Sequence, residues 1–198
     1  MDYPLVVPGG GSAGRLSEVL LDFVGVIPAS RQQPVANPQA RAAVLVRAAA
    51  RKAAATSGSL ALPPGPLGLL TVLPDLLAVW KIQSQLVADI AAVYGKTHTL
   101  SREQMLYCLF RHLASQALRD LVVRAGGRWL IQRVSPAVLQ TIAQKIGVHL
   151  SKKVIGSSLS RWLPLAGALG VGAYAYFDTR QVGATAVALF EKEIQLSP

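Results

Sequence analysis

Between Leu76 and Tyr94 the large apolar residues fall at 76, 79, 80, 86, 87, 90, 93 and 94, with Lys81, Gln85, Asp89 and Lys96 falling among them. That spacing puts the first set on one side of a helix and the second on the other, so it predicts an amphipathic helix rather than a plain membrane span. Gln83 lies inside the apolar stripe and needs a hydrogen-bond partner if buried. Asp75 follows Pro74 in the first turn, where the helix dipole favours a carboxylate. Gly95 predicts the stop.

The same periodicity runs along the rest of the chain. Leu16, Val19, Leu20 and Phe23 outline a short helix that Pro28 closes. Asn37 and Pro38 form a cap and first-turn pair for an alanine-rich helix ending near Gly58, whose basic side carries Arg41, Arg47, Arg51 and Lys52. Ser101 and Gln104 have the spacing of a capping box. Leu106, Leu109, Phe110, Leu113, Ala117 and Leu121 then predict a helix reaching towards Gly126–Gly127, with Arg111, Arg119 and Arg124 around it. Ser135–Pro136 predicts another helix, closed by Gly147, followed by a basic one up to Pro164. A long Gly/Ala-rich helix or hairpin ends the chain. Period-two alternation between turn signals is absent, so the reading is all-α: an N-terminal arm over 1–36 with one short helix and a proline-rich linker, and one helical bundle over 37–198.

Two stretches carry no charge: residues 60–74, broken by prolines, and residues 162–177. The second spans 16 positions, about 24 Å as helix at ~1.5 Å per residue. A bilayer core needs roughly 20 residues and ~30 Å, so both stretches fall in the length class of core helices or interfacial segments. Two readings stay open, a mutually packed core hairpin and tips that enter lipid. The lipid candidates are Leu67, Leu69, Leu70, Trp162, Leu163, Leu165 and Leu169.

Composition sharpens that choice. The chain is 52% hydrophobic, has a mean hydropathy of +0.39 and is only 15% charged, against about 25% charged in ordinary soluble domains. Its net charge of +10 is concentrated between residues 101 and 161, which hold ten basic and two acidic residues. Basic clusters beside apolar segments suit an anionic membrane surface, each Lys or Arg near it contributing about 1 kcal/mol. The candidates are Arg111, Arg119, Arg124, Arg128, Arg133, Lys145, Lys152, Lys153 and Arg161. Nucleic acid is the competing partner. Residues 139–163 resemble a helix-turn-helix, but Lys153 stands where an apolar anchor belongs, which weighs against it.

Chemistry-bearing patterns are missing. His98, His112 and His149 are scattered without metal-ligand spacing, and no nucleophile elbow, phosphate loop or dinucleotide fingerprint occurs. Cys108 reads as a buried thiol, and one cysteine with no secretory leader pattern predicts a cytoplasmic protein. Asp75, Gln83 and Asp178 are the candidate buried polar positions. No catalytic residue, metal or cofactor is expected.

The order of features, an alanine-rich helix ending in SG, then PDLLAVWKIQSQLVADIAAVYGK, then a lysine-rich helix before LPLAGALGVGAYAYFDTRQVGATA, resembles the EcsC family over about residues 37–192. It is more distantly similar to the membrane-linked helical domain appended to some TrmE-Era-type GTPases. Asp75, Gln83, Ile90, Ala91, Tyr94 and Gly95 are the most specific part of the resemblance, and Pro164, Gly167 and Gly170 come next. It implies a helical, cytoplasmic accessory protein at the inner membrane, with a membrane protein such as a transporter as a possible partner. It brings no catalytic residues. The expectation is therefore a non-enzymatic membrane-associated protein; the alternatives are a soluble helical interaction or apolar-ligand module and, behind it, a DNA-binding protein.

Overall fold

The computed structural model describes residues 12–60, 72–116, 118, 121–125, 128–157, 164–191 and 196–197. Among these, helices α1 (Ser12–Gly25), α2 (Pro38–Leu60), α3 (Val72–Val93), α4 (Arg102–Ala114), α5 (Pro136–Ser157) and α6 (Pro164–Glu191) build an all-α body. The helix ends follow local chemistry. Asn37 Oδ1 accepts a 3.0 Å hydrogen bond from the Ala40 N–H, opening α2. Gly95 adopts φ +69°, and the N–H groups of Lys96 and Gly95 bond to the carbonyls of Ala91 and Ala92, a Schellman stop for α3. Ser101 and Gln104 form a full capping box for α4.

One core joins all the helices. Leu20 of α1, Trp80, Leu86 and Ile90 of α3, Met105, Leu109 and Phe110 of α4, Ile142 and Ile146 of α5, and Val182 and Leu189 of α6 are all buried in it. Trp80 meets Phe110 edge-on at 5.3 Å and Phe23 at 5.9 Å. Such aromatic pairs are worth about 0.5–1.5 kcal/mol each beyond the area they bury. The proline-rich segment after α1 is fastened to α3: Ser30 Oγ donates to Asp89 Oδ1 (2.6 Å), Gln85 Nε2 to the Ala29 carbonyl, and the Val35 N–H to the Val93 carbonyl.

Contact pairs fix the directions of the three long helices. Val46 packs on Gly183, and Ala53, Val79 and Ala175 share one buried cluster, so α2 runs antiparallel to α6. Val79 beside Ala175 and Gln83 beside Asp178 make α3 parallel to α6. The C-terminus of α2 and the N-termini of α3 and α6 therefore share one end of the bundle. From the level of the Ala53 cluster, Leu60 and Val72 lie about 10 Å away along their axes and Pro164 about 16 Å, at ~1.5 Å per residue. Small residues allow the α2–α6 approach: Ala42, Ala50, Ala53 and Ala175 are fully or almost fully buried.

Two expectations are corrected. The stripe through Leu113, Ala117 and Leu121 does not continue α4, which ends at Ala114. Strand β1 (Val122–Ala125) follows, pairing antiparallel with β2 (Arg128–Gln132) in the register Val122↔Ile131 to Ala125↔Arg128, with β3 (Leu196–Ser197) parallel to β2. Gly147 does not close a helix either. It is buried within an unbroken α5, so no turn interrupts residues 136–157 and the helix-turn-helix geometry is absent. The cost of an internal glycine, about 1 kcal/mol, is smaller than what the Ile142, Ala143 and Ile146 face gains by packing. The C-terminal element is one continuous helix, α6, of 28 residues rather than a hairpin.

Candidate functional site

The end of the bundle where α2 stops and α3 and α6 start carries the described parts of both uncharged stretches. Residues 60, 72–74 and 164–177 of those stretches are in the described helices. Leu67, Leu69, Leu70, Trp162 and Leu163 lie outside the described residues, as do the side chains of Leu165 and Leu169. Farther along α6, aromatic rings face outward: Tyr174 is 46% and Phe177 59% exposed. Tyr176 meets Phe177 edge-on at 5.6 Å and lies under the Arg180 guanidinium at 6.0 Å. Helix α3 also contains an 18-residue apolar window, Leu76–Val93, but 61% of it is buried in the bundle, so its hydrophobicity belongs to the core.

Of the predicted basic surface, Arg111, Arg133 and Lys145 are exposed, and Arg111 lies over the Tyr107 ring at 5.4 Å. Arg124 is on β1 and Arg128 on β2, not on a helix face; their side chains, and those of Lys152 and Lys153 on α5, lie outside the described part. Arg119 and Arg161 are outside the described residues. Chain length bounds the position of α5: seven steps separate Ser157 from Pro164, at most about 25 Å fully extended. The last residue of α5 is therefore within that distance of the start of α6.

Two further cations stand close to that end. Lys52 is eight residues before Leu60 and Lys81 nine after Val72, about 12 and 14 Å along their helices. Both are exposed, and both line a groove of about 390 Å³ between α2 and α3, walled by Leu45, Ala48, Ala49, Ile82 and Leu86. Gln85 and Asp89 close its far end, where Asp89 Oδ1 accepts from Ser30 and from Gln85 Nε2 (2.9 Å).

Behind this surface is a buried polar cluster. Gln83 Nε2 donates to Asp178 Oδ2 at 2.6 Å and to Thr179 Oγ1 at 3.2 Å, and His112 Nε2 meets Asp178 Oδ1 at 2.6 Å. Asp178, 9% exposed, thus ties α3, α4 and α6 together. A carboxylate only accepts, so Nε2 carries the His112 proton, and Nδ1 is buried without a partner among the described residues. Burial, the Asp178 charge and a hydrogen bond to it push the Tyr174 phenol up. The backbone of Asp75 is in the first turn of α3, but its side chain is outside the described part. Desolvation also pushes the fully buried Cys108 thiol up, leaving it inert.

Sequence reasoning missed Lys52 and Lys81 as a pair, although their similar distances from the α2–α3 connection were readable. It also missed His112, whose partner lies 66 residues away; nothing local marks that. Among the described residues no group of three or more His, Cys, Asp or Glu side chains is placed to hold a metal ion.

No curated protein and no solved structure matches the chain. A family signature does, that of the EcsC protein family, over residues 30–193. With most of its length matched, from the segment fastened to α3 through the end of α6, this chain belongs to the EcsC family.

Proposed function

We propose that this is a non-enzymatic monotopic accessory protein of the cytoplasmic face of the inner membrane, which inserts into one leaflet with the end of the bundle where α2, α3 and α6 meet. The observation that carries this reading is the convergence on one end of the described parts of two uncharged stretches, about 100 residues apart in the chain, with Lys52 and Lys81 two to three turns behind it. Charge brings such a body to an anionic surface, about 1 kcal/mol per basic residue, and apolar burial retains it. Neither contribution alone holds a protein firmly, so binding is reversible. A membrane protein such as a transporter fits as partner, since the helix faces away from the leaflet stay free for it.

Flotation with vesicles tests the reading. The expected result is stronger binding to phosphatidylcholine vesicles containing phosphatidylglycerol than to phosphatidylcholine alone, weakened by salt as the Debye length shrinks from ~10 Å at 0.1 M. Equal binding to both removes the electrostatic half. Binding to neither, by a protein monodisperse without detergent, returns the chain to a soluble helical interaction or apolar-ligand module.

A further inference from the structure

The groove between α2 and α3 is polarised along its length. Lys52 and Lys81 stand at the end nearer the apolar tip, and Asp89 stands at the far end with one carboxylate oxygen already held by Ser30 and Gln85. No ionic partner for either lysine occurs among the described residues. Two lysines on facing helices line this one groove, so an anion entering it is attracted by both. Ala48 and Ala49 make the room, and a volume of about 390 Å³ is within the roughly 300–1,000 Å³ usual for small-ligand sites. The groove's formal charge, two lysines against one aspartate, is complementary to a singly charged anion.

We propose that this groove holds the headgroup of an anionic phospholipid with a hydroxylated head, its phosphate between Lys52 and Lys81 and its hydroxyls towards Gln85 and Asp89. This rests on the membrane reading above, which supplies the lipid's direction. With the bundle end in the leaflet, the lysines lie about 12–14 Å above the described helix ends, close to the ~15 Å half-thickness of a bilayer core. The phosphate level of a leaflet and the lysine level of the protein then coincide, and the acyl chains remain in the membrane. Asp89 stops a phosphate from sliding farther up the groove and accepts from the head's hydroxyls instead.

The test compares two charge-matched variants in flotation on phosphatidylcholine vesicles containing phosphatidylglycerol. Lys52→Gln with Lys81→Gln removes the proposed site; Arg31→Gln with Arg102→Gln removes two exposed cations from the opposite end of the bundle. All four side chains are exposed, so both variants are expected to unfold at the wild-type temperature. The lysine pair is expected to weaken partitioning by about 30-fold, the factor for two charges at the surface, and the arginine pair by less than about threefold, being more than a Debye length away. Equal losses, or no loss for the lysine pair, would overturn the site while leaving membrane binding intact. Wild-type protein that binds no vesicle at all would sink the membrane reading itself. Inorganic phosphate, matched to chloride in ionic strength, should not displace the protein; displacement would assign the groove to a free anion and overturn the lipid.

Discussion

Replacing Gly183 by alanine probes the α2–α6 contact on which the geometry of the apolar end depends. A Cβ at 183 would lie 2.4 Å from Val46 Cγ2, 3.0 Å from Cγ1 and 3.3 Å from Cβ, where carbon contacts normally settle at about 3.5–4.0 Å. Turning the valine gives little relief, because its own Cβ is too close and a β-branched side chain in a helix keeps essentially one rotamer. The helices must separate or the valine must strain, an overpacking cost of about 1–3 kcal/mol. Against this, alanine is a better helix former than glycine by about 1 kcal/mol. The expected net effect is a loss of about 1 kcal/mol, or ~2–4 °C in Tm for a chain of this size. In a Val46→Ala background the obstruction is gone, and the same Gly183→Ala change should stabilise by up to about 1 kcal/mol. Thermal and urea unfolding of the four proteins give a coupling of about 2 kcal/mol. Gly183→Ala that stabilises the wild-type protein and the Val46→Ala protein equally would show that the helices are not in close contact there.

Asp178→Ala should be among the most damaging single changes, at about 3–5 kcal/mol, because it strands the buried donors of Gln83 and His112; Asp178→Asn, which keeps the shape and one acceptor, should cost clearly less in the same unfolding assay. Cys108 should react with an aromatic disulfide reagent only as fast as the protein unfolds. Its thiol is pushed above its ordinary value of 9.0 by burial, so above that pH the unfolded chain ionises while the fold keeps the proton. Stability is unaffected by this group below pH 9 and falls as pH rises beyond it; Cys108→Ala should flatten the decline between pH 9 and 10, before the tyrosines add theirs.

Much of this architecture is legible because its signals are local. Asn37–Pro38, Ser101 with Gln104, and Gly95 each satisfy or terminate backbone hydrogen bonds within a few residues, and the structure uses all three. Gln83 was readable as a polar residue in an apolar stripe, but its partner was not, since Asp178 is 95 residues away. The β1–β2 pairing did leave a trace in the sequence: β-branched Val122 and Val123, then the turn-forming pair Gly126–Gly127, then Trp129 and Ile131 read as strand, turn signal, strand. The helical spacing of Leu113, Ala117 and Leu121 masked it, because apolar residues four apart satisfy either period over so short a run. Gly147 misled for another reason. Glycine stops a helix only when the following residues have nothing to pack against, and α5 has the core beside it. That the end of α2 and the starts of α3 and α6 share one end of the bundle follows from helix directions, which periodicity does not contain.

The most direct measurement places a polarity-sensitive fluorophore on a single introduced cysteine at either end of the bundle, with Cys108 left in place because it is fully buried. Leu67→Cys marks the α2–α3 connection; Val35→Cys marks the opposite end, where Val35 is 42% exposed and its N–H bonds to Val93. With vesicles containing phosphatidylglycerol, the label at 67 should shift to the blue and be quenched by spin-labelled lipid, while the label at 35 stays as it is in water. Identical responses at the two positions, or a shift at 35 alone, would contradict insertion by the end where α2, α3 and α6 meet.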